Sequence, residues 1–139
     1  MPEPMDLEAL QGYMDASPFI HDSGMKVTAV DHEAQTLTMS MALKPQFERA
    51  PDTGQWHGGP IAALIDTAGC FGLIMLFGHG VPTINFRTDY LKPAVNTSLT
   101  AVAMVRRVGR TVGVVDVDVY NDSEQLVAVG RGTFGSQGG

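Results

Sequence analysis

His57, Gly58 and Gly59, followed by Asp66, are the residues of this chain whose types and spacing best suit chemistry at a carbonyl. Two glycines opening a helix present backbone N–H groups that have no intrahelical acceptor, at the positive end of the helix dipole. Lacking side chains, they let a carbonyl oxygen come close, and such donors are what a developing oxyanion requires. Asp66 is the one acid in the segment from His57 to Gly80, HGGPIAALIDTAGCFGLIMLFGHG, which is otherwise almost wholly apolar. Burying a charged carboxylate among such neighbours strips its hydration, so the group must be satisfied or used. In use it is a base that activates water or a nucleophile that attacks directly, and the sequence leaves both open.

The element that positions these groups has three readings. From Ile61 to Phe77 it approaches the roughly 18 to 20 apolar residues of a bilayer span, but it is short, holds an acid near its start and has no Lys or Arg flank. It reads equally as a buried core helix whose Asp66 only bonds a neighbouring backbone group. The third reading is a buried helix wrapped by a sheet, with Asp66 kept for chemistry at an oligomer interface. A helix apolar all round must be covered all round.

Composition suits the third reading. At 139 residues the expectation is one domain, 1–139, large enough for a real core. Charged residues are 17% of the chain, below the roughly 25% of an average soluble protein, which fits surface hidden in an oligomer. A net charge of −6 argues against general attraction to nucleic acid or an anionic membrane. Cys70 is the single cysteine, so no internal disulfide is expected, and a reducing compartment fits. No positive group near it favours a thiolate. His21, His32, His57 and His79 are scattered without ligand spacing, so no metal site is expected, and the glycines form no dinucleotide or phosphate-loop pattern. The acidic N-terminus lacks a signal peptide's basic start and apolar core, and the expected location is cytoplasmic.

Leu7, Leu10 and Met14 have helical spacing and predict a short helix over 5–15, ended by Asp15-Ala-Ser-Pro18. Strands are predicted over 24–31 and 35–43; in the second, Leu37, Met39, Met41 and Leu43 share one face. A loop from Lys44 to Trp56 leads into the long helix. Four more strands are predicted over 83–91, 98–108, 111–120 and 126–134, separated by turn chemistry at Lys92-Pro93-Ala94, Gly109-Arg110 and Asn121-Asp122-Ser123. The core is thus placed at about 20–134 and a flexible tail at 135–139. Consecutive strands with short turns imply an antiparallel sheet, and one helix too apolar for solvent implies that the sheet curls around it: an α+β roll.

These residues carry a resemblance. His57-Gly58-Gly59, Asp66 nine positions after the histidine, and Asp89-Tyr90-Leu91-Lys92-Pro93-Ala94 in the next strand resemble the hotdog-fold acyl-CoA thioesterases. The likeness is to the phenylacetic acid degradation-type subfamily of the 4-hydroxybenzoyl-CoA thioesterase superfamily, over residues 20–134. It implies a curved antiparallel sheet wrapped around one long buried helix, two chains sharing a continuous sheet, and dimers that stack into tetramers. It implies an acyl-CoA substrate, with no cofactor beyond the coenzyme A that the substrate itself brings.

Hydrolysis of a thioester needs few groups, because the leaving thiolate, from a thiol of pKa about 8.5, needs little acid assistance. Gly58 and Gly59 would supply oxyanion donors and Asp66 the base or nucleophile. Along one helix these lie about 12 Å apart and about 80° around the axis, too far for both to touch one carbon. If both are catalytic they come from different subunits across a two-fold axis. His57 is a substrate donor or a cap. Thr83 lies where the resembling family often has a Ser or Thr that positions the attacking water. Many relatives have Asn six places before the histidine; Pro51 stands there in this chain, so that polar contact is missing or displaced onto Asp52 or Gln55. Leu64, Phe71 and Ile74 with the sheet are expected to wall the acyl group. Arg107 and Arg110, with Arg106, Gly109 and Thr111, are the expected contacts for coenzyme A phosphates, the competing reading being a solvated turn facing Asp116 or Asp118. Asp89 is expected to pair with Arg87 or Lys92 at the surface. The other readings are a hotdog dehydratase or hydratase using His57 and Asp66 as an acid/base pair, and a non-catalytic acyl-CoA binding or regulatory hotdog domain.

Overall fold

Residues 3–137 are described by a computed structural model. The elements run α1 (Leu7–Asp15), α2 (Pro18–Ser23), β1 (Lys26–Asp31), β2 (Thr36–Met41), a 3-10 turn (Pro45–Phe47), α3 (Gly58–Phe77), β3 (Thr83–Tyr90), β4 (Leu99–Val108), β5 (Val112–Tyr120) and β6 (Leu126–Gly135). All six strands form one sheet in the order β1-β2-β4-β5-β6-β3, with every neighbouring pair antiparallel. The sheet curls around α3, the arrangement of the hotdog fold.

Alternation drives the packing. On β2, Leu37, Met39 and Met41 point inward and are buried, while on β5 Gly113, Val115, Val117 and Val119 do the same. They meet an α3 whose buried positions lie on nearly every side. By length and composition α3 could cross a bilayer, but it lies against β2 to β6 as the core helix of the domain. Small residues let the sheet come close: a Cβ added to Gly69 would sit 2.9 Å from the Phe134 ring, and one added to Gly130 would sit 2.5 Å from Ile65. Gly78, with φ 75°, ends the helix in the left-handed conformation that glycine adopts without strain.

Two expectations need correction. The stretch after Asp15 is not only a stop: Ser17 caps and Pro18 opens a second short helix, α2, which Gly24 closes at φ 76°. Residues 135 and 136, expected in a flexible tail, are instead tied to the sheet. Gly135 is the last residue of β6 and its N–H donates to Pro82 O (2.9 Å), and the Ser136 N–H donates to Thr111 O (3.0 Å). Residues 138 and 139 lie outside the described part.

On the outer face of the sheet Asp116 accepts from Arg131 (2.6 and 2.9 Å) and from Arg106 (2.7 Å). The Arg131 hydrogen bond, opposed by partial burial and aided by Arg106, holds the Asp116 carboxyl at about 2. A depressed folded-state pKa stabilises the fold above the ordinary carboxylate range and is lost as pH falls toward 2. Both arginines are 57% exposed, so solvent screening leaves on the order of 1 kcal/mol. Asp116→Asn is therefore expected to lower the urea midpoint at neutral pH, with the difference from the parent chain vanishing as the pH is taken from 4 to 2.

Candidate active site

The loop before α3 is fixed before the helix begins. Trp56 is buried, donates its indole N–H to Thr97 O (2.8 Å) and stacks on Phe47 with centroids 5.6 Å apart. The His57 N–H donates to Phe47 O at 2.7 Å. His57 is the N-cap residue, and its Nδ1 accepts the Gly59 N–H at a long 3.4 Å. The helix then opens at Gly58, whose N–H has no acceptor among the described residues. The Gly58 carbonyl accepts the Tyr90 hydroxyl at 2.6 Å.

These groups face a cavity of about 480 Å3 lined by Arg49, Gln55, His57, Gly58, Tyr90 and Lys92, among others. The Gln55 amide oxygen accepts from Arg49 Nε at 2.9 Å, which orients the amide at the rim. Asp52 opens on a different cavity, with Glu48 and Asn96. Of the two residues that could replace the missing Asn, Gln55 is the one beside Gly58. Tyr90, Arg49 and Lys92 were not among the sequence candidates.

Asp66 projects from α3 two turns further on. Thr83, at the start of β3, donates its hydroxyl to Asp66 Oδ1 at 2.8 Å. The two residues share a separate cavity of about 230 Å3 with Phe19, Ala63, Cys70 and Phe71. Burial, with the Asp66 charge second, pushes the Cys70 thiol up to about 12, and it donates to Val81 O (3.4 Å). A neutral thiol is no nucleophile there. Of the expected acyl wall, only Phe71 lines this cavity; Leu64 and Ile74 are 0% and 2% exposed and face the core. Phe19 of α2, a large apolar side chain left 60% exposed and not singled out from the sequence, lines the same cavity.

The β4–β5 hairpin divides its arginines. Arg106 is paired with Asp116, as the solvated-turn reading has it, and Arg107 donates from one guanidinium nitrogen to Val112 O (2.9 Å). Arg110 and Thr111 are exposed at the tip. Asp89 pairs with Arg87 at 2.8 Å on the surface. A Cβ on Gly113 would meet Leu73, which lies about 22 Å along α3 from Gly58. Gly113 pairs with Phe134 and Phe134 with Thr83, so the hairpin stands at the Asp66 end of the sheet.

One chain thus carries two separate clusters: the helix start at Gly58 with Gln55 in one cavity, and the Asp66 carboxylate with its hydroxyl partner Thr83 in another. A hotdog fold with free helix-start N–H groups and a carboxylate holds the kinds of group that thioester hydrolysis uses. The model of the thioesterase superfamily matches residues 53–128, and the chain belongs to that superfamily. It is a thioester hydrolase. A Halobacterium salinarum protein named as an esterase is 33% identical over 135 residues, which cover 90% of this chain and 88% of its own. The acyl-coenzyme A thioesterase PaaI of Escherichia coli K12 is 33% identical over 84 residues, 60% of this chain and 59% of PaaI. Among solved structures, a phenylacetic acid degradation-related protein of Ralstonia eutropha JMP134 superposes with TM-score 0.75 at 27% identity, covering 86% of this chain and 90% of the other.

Proposed function

We propose that the protein hydrolyses an aryl- or fatty-acyl-CoA thioester to the free acid and coenzyme A, at a site completed by two subunits. The observation that carries this reading is the placement of both half-sites on one unpaired edge. β3 ends the sheet and is exposed over nearly its whole length. Its first residue, Thr83, holds Asp66, and its last, Tyr90, holds Gly58. Antiparallel pairing of β3 with a second copy, about a two-fold axis between Phe86 and Arg87, sets Tyr90 of one chain against Thr83 of the other. The oxyanion donor of one protomer then faces the carboxylate of its partner. The same edge accounts for a shared sheet, and such dimers stack in pairs.

In this site the Gly58 N–H, with Gly59 and the helix dipole behind it, donates to the thioester oxygen and stabilises the charge that develops there. Gln55 and His57 contact the substrate beside it. Asp66 either removes a proton from the attacking water or adds to the carbonyl to form an anhydride that water opens; coenzyme A leaves as the thiolate. The Thr83 hydroxyl orients Asp66 through one carboxylate oxygen and keeps lone pairs free to accept from that water. Arg107, Arg110 and Thr111 meet the coenzyme A phosphates from the Asp66 side, and Arg49 and Lys92 line the opposite wall. Phe19, Ala63 and Phe71 receive the acyl group. The reading carries no further cofactor and places the protein in the cytoplasm, where acyl-CoA is made and Cys70 stays reduced. PaaI, an acyl-CoA thioesterase by name, supports the substrate class.

Release of free coenzyme A from a panel of aryl- and fatty-acyl-CoAs, followed with a thiol reagent and corrected for Cys70, tests the reading. Turnover of at least one acyl class is expected. Tight binding of acyl-CoA with no turnover of any would instead make the domain a binding or regulatory module.

A further inference from the structure

The contact between Tyr90 and the helix start has no part in the reaction as written above, yet it joins two elements 32 residues apart in sequence at one peptide group. The accepting carbonyl, Gly58 O, belongs to the peptide whose N–H is that of Gly59. That N–H has only the long 3.4 Å contact with His57 Nδ1. Gly59 is exposed, and a Cβ added to it would meet nothing within 4 Å, so the surface at this residue is open. A Cβ added to Gly58 would lie 3.1 Å from the Tyr90 hydroxyl oxygen, so the approach depends on glycine at 58. The Tyr90 ring is 53% exposed and lines the Gly58 cavity, while its hydroxyl end is tucked against the helix.

Resting on the thioesterase reading, we infer that Tyr90 is a positioning residue for the oxyanion donors: its hydroxyl bond to Gly58 O fixes the start of α3 and polarises the peptide that carries the Gly59 N–H. Two effects follow from the geometry. A hydrogen bond accepted at a peptide oxygen strengthens the same peptide's N–H as a donor, by cooperativity of about 10–30% per bond. The bond also ties the helix start to the last residue of β3, so the donors are held at a fixed angle before charge develops and need not reorganise when it does. Partial burial raises the phenol above its ordinary value, which keeps the hydroxyl a donor through neutral and mildly basic solution. Tyr90 touches no reacting atom in this arrangement; it acts through Gly58 and Gly59.

Tyr90→Phe removes the hydroxyl and leaves the ring. The expected result is a fall in kcat of about tenfold, the loss of one hydrogen bond's help, with KM within about twofold and the dimer intact. A role in folding alone would not give that split. The second arm uses a non-hydrolysable probe, phenacyl-CoA, in which a methylene separates the ketone from sulfur, with 13C at the carbonyl. Bound to the parent chain its carbonyl stretch is expected below the value in water. In Tyr90→Phe it is expected to move back toward that value at the same probe occupancy. An unchanged kcat with an unchanged stretch would overturn the inference, as would a change in KM alone. If the parent chain turned over no acyl-CoA, the thioesterase reading would fail while the carbonyl stretch still reported on Tyr90.

Discussion

Asp66→Asn is expected to lower kcat by about a thousandfold, in the range that loss of a general base or nucleophile removes, with little change in the affinity for acyl-CoA. The substitution is close to isosteric. The Asn carbonyl oxygen can accept the Thr83 hydroxyl where Asp66 Oδ1 now accepts it at 2.8 Å, so β3 and α3 stay joined. What disappears is the charge that takes a proton from water or attacks the thioester. Steady-state release of coenzyme A, with gel filtration of both proteins, checks the outcome. A variant that retained a tenth of the parent rate would remove Asp66 from the chemistry and leave it as the satisfied acid of a core helix.

Gly58→Pro is expected to cost about a hundredfold to a thousandfold in kcat, the usual loss when one oxyanion donor is removed. Proline is the one substitution that deletes the donor itself. The first position of a helix tolerates it, because the N–H there has no intrahelical acceptor. His57, at φ −70° and ψ 149°, already has the extended conformation that the residue before a proline needs. The added ring crowds the Tyr90 hydroxyl, which must give by a few tenths of an ångström from a side chain that is half exposed. Gly58→Ala brings the same crowding and keeps the N–H. It is expected to lose far less activity, and the difference between the two variants, measured in parallel, isolates the donor.

The sheet was legible because each strand announces itself twice, by alternation within and by turn residues between. Leu37, Met39 and Met41 of β2 and the valines of β5 set the inward face without any knowledge of their partners. Gly58 and Asp66 were legible for a local reason as well: a glycine pair at a helix start and a lone acid in an apolar run are anomalies that the sequence displays. Apart from α2, what the residues alone left undecided depends on partners far along the chain. Tyr90 reads as an ordinary strand aromatic until its hydroxyl is seen on a carbonyl from another element. Arg106 reads either as part of a phosphate cluster or as a partner of Asp116 across a solvated turn, and the pairing of β4 with β5 decides for the second. Leu64 and Phe71 are both apolar residues of one helix, and only the wrapping of the sheet decides that the first is core and the second wall. For α2 the signal was present. Ser17-Pro18 is both a stop for the helix before it and a start for the helix after it, and only the first sense was read.

A site that takes its oxyanion donor from one chain and its acid from another, as proposed, is tested most directly by mixing the two inactive variants. Asp66→Asn and Gly58→Pro, combined in equal amounts under conditions that exchange subunits, give half heterodimers. Each heterodimer has one intact site of two, formed by Gly58 of the first variant and Asp66 of the second. Recovery to about a quarter of the parent activity is expected from proteins that are each nearly inactive alone. If both groups served one site within a single chain, no heterodimer would hold an intact site. A mixture that exchanged subunits and stayed as inactive as its parents would contradict the shared site.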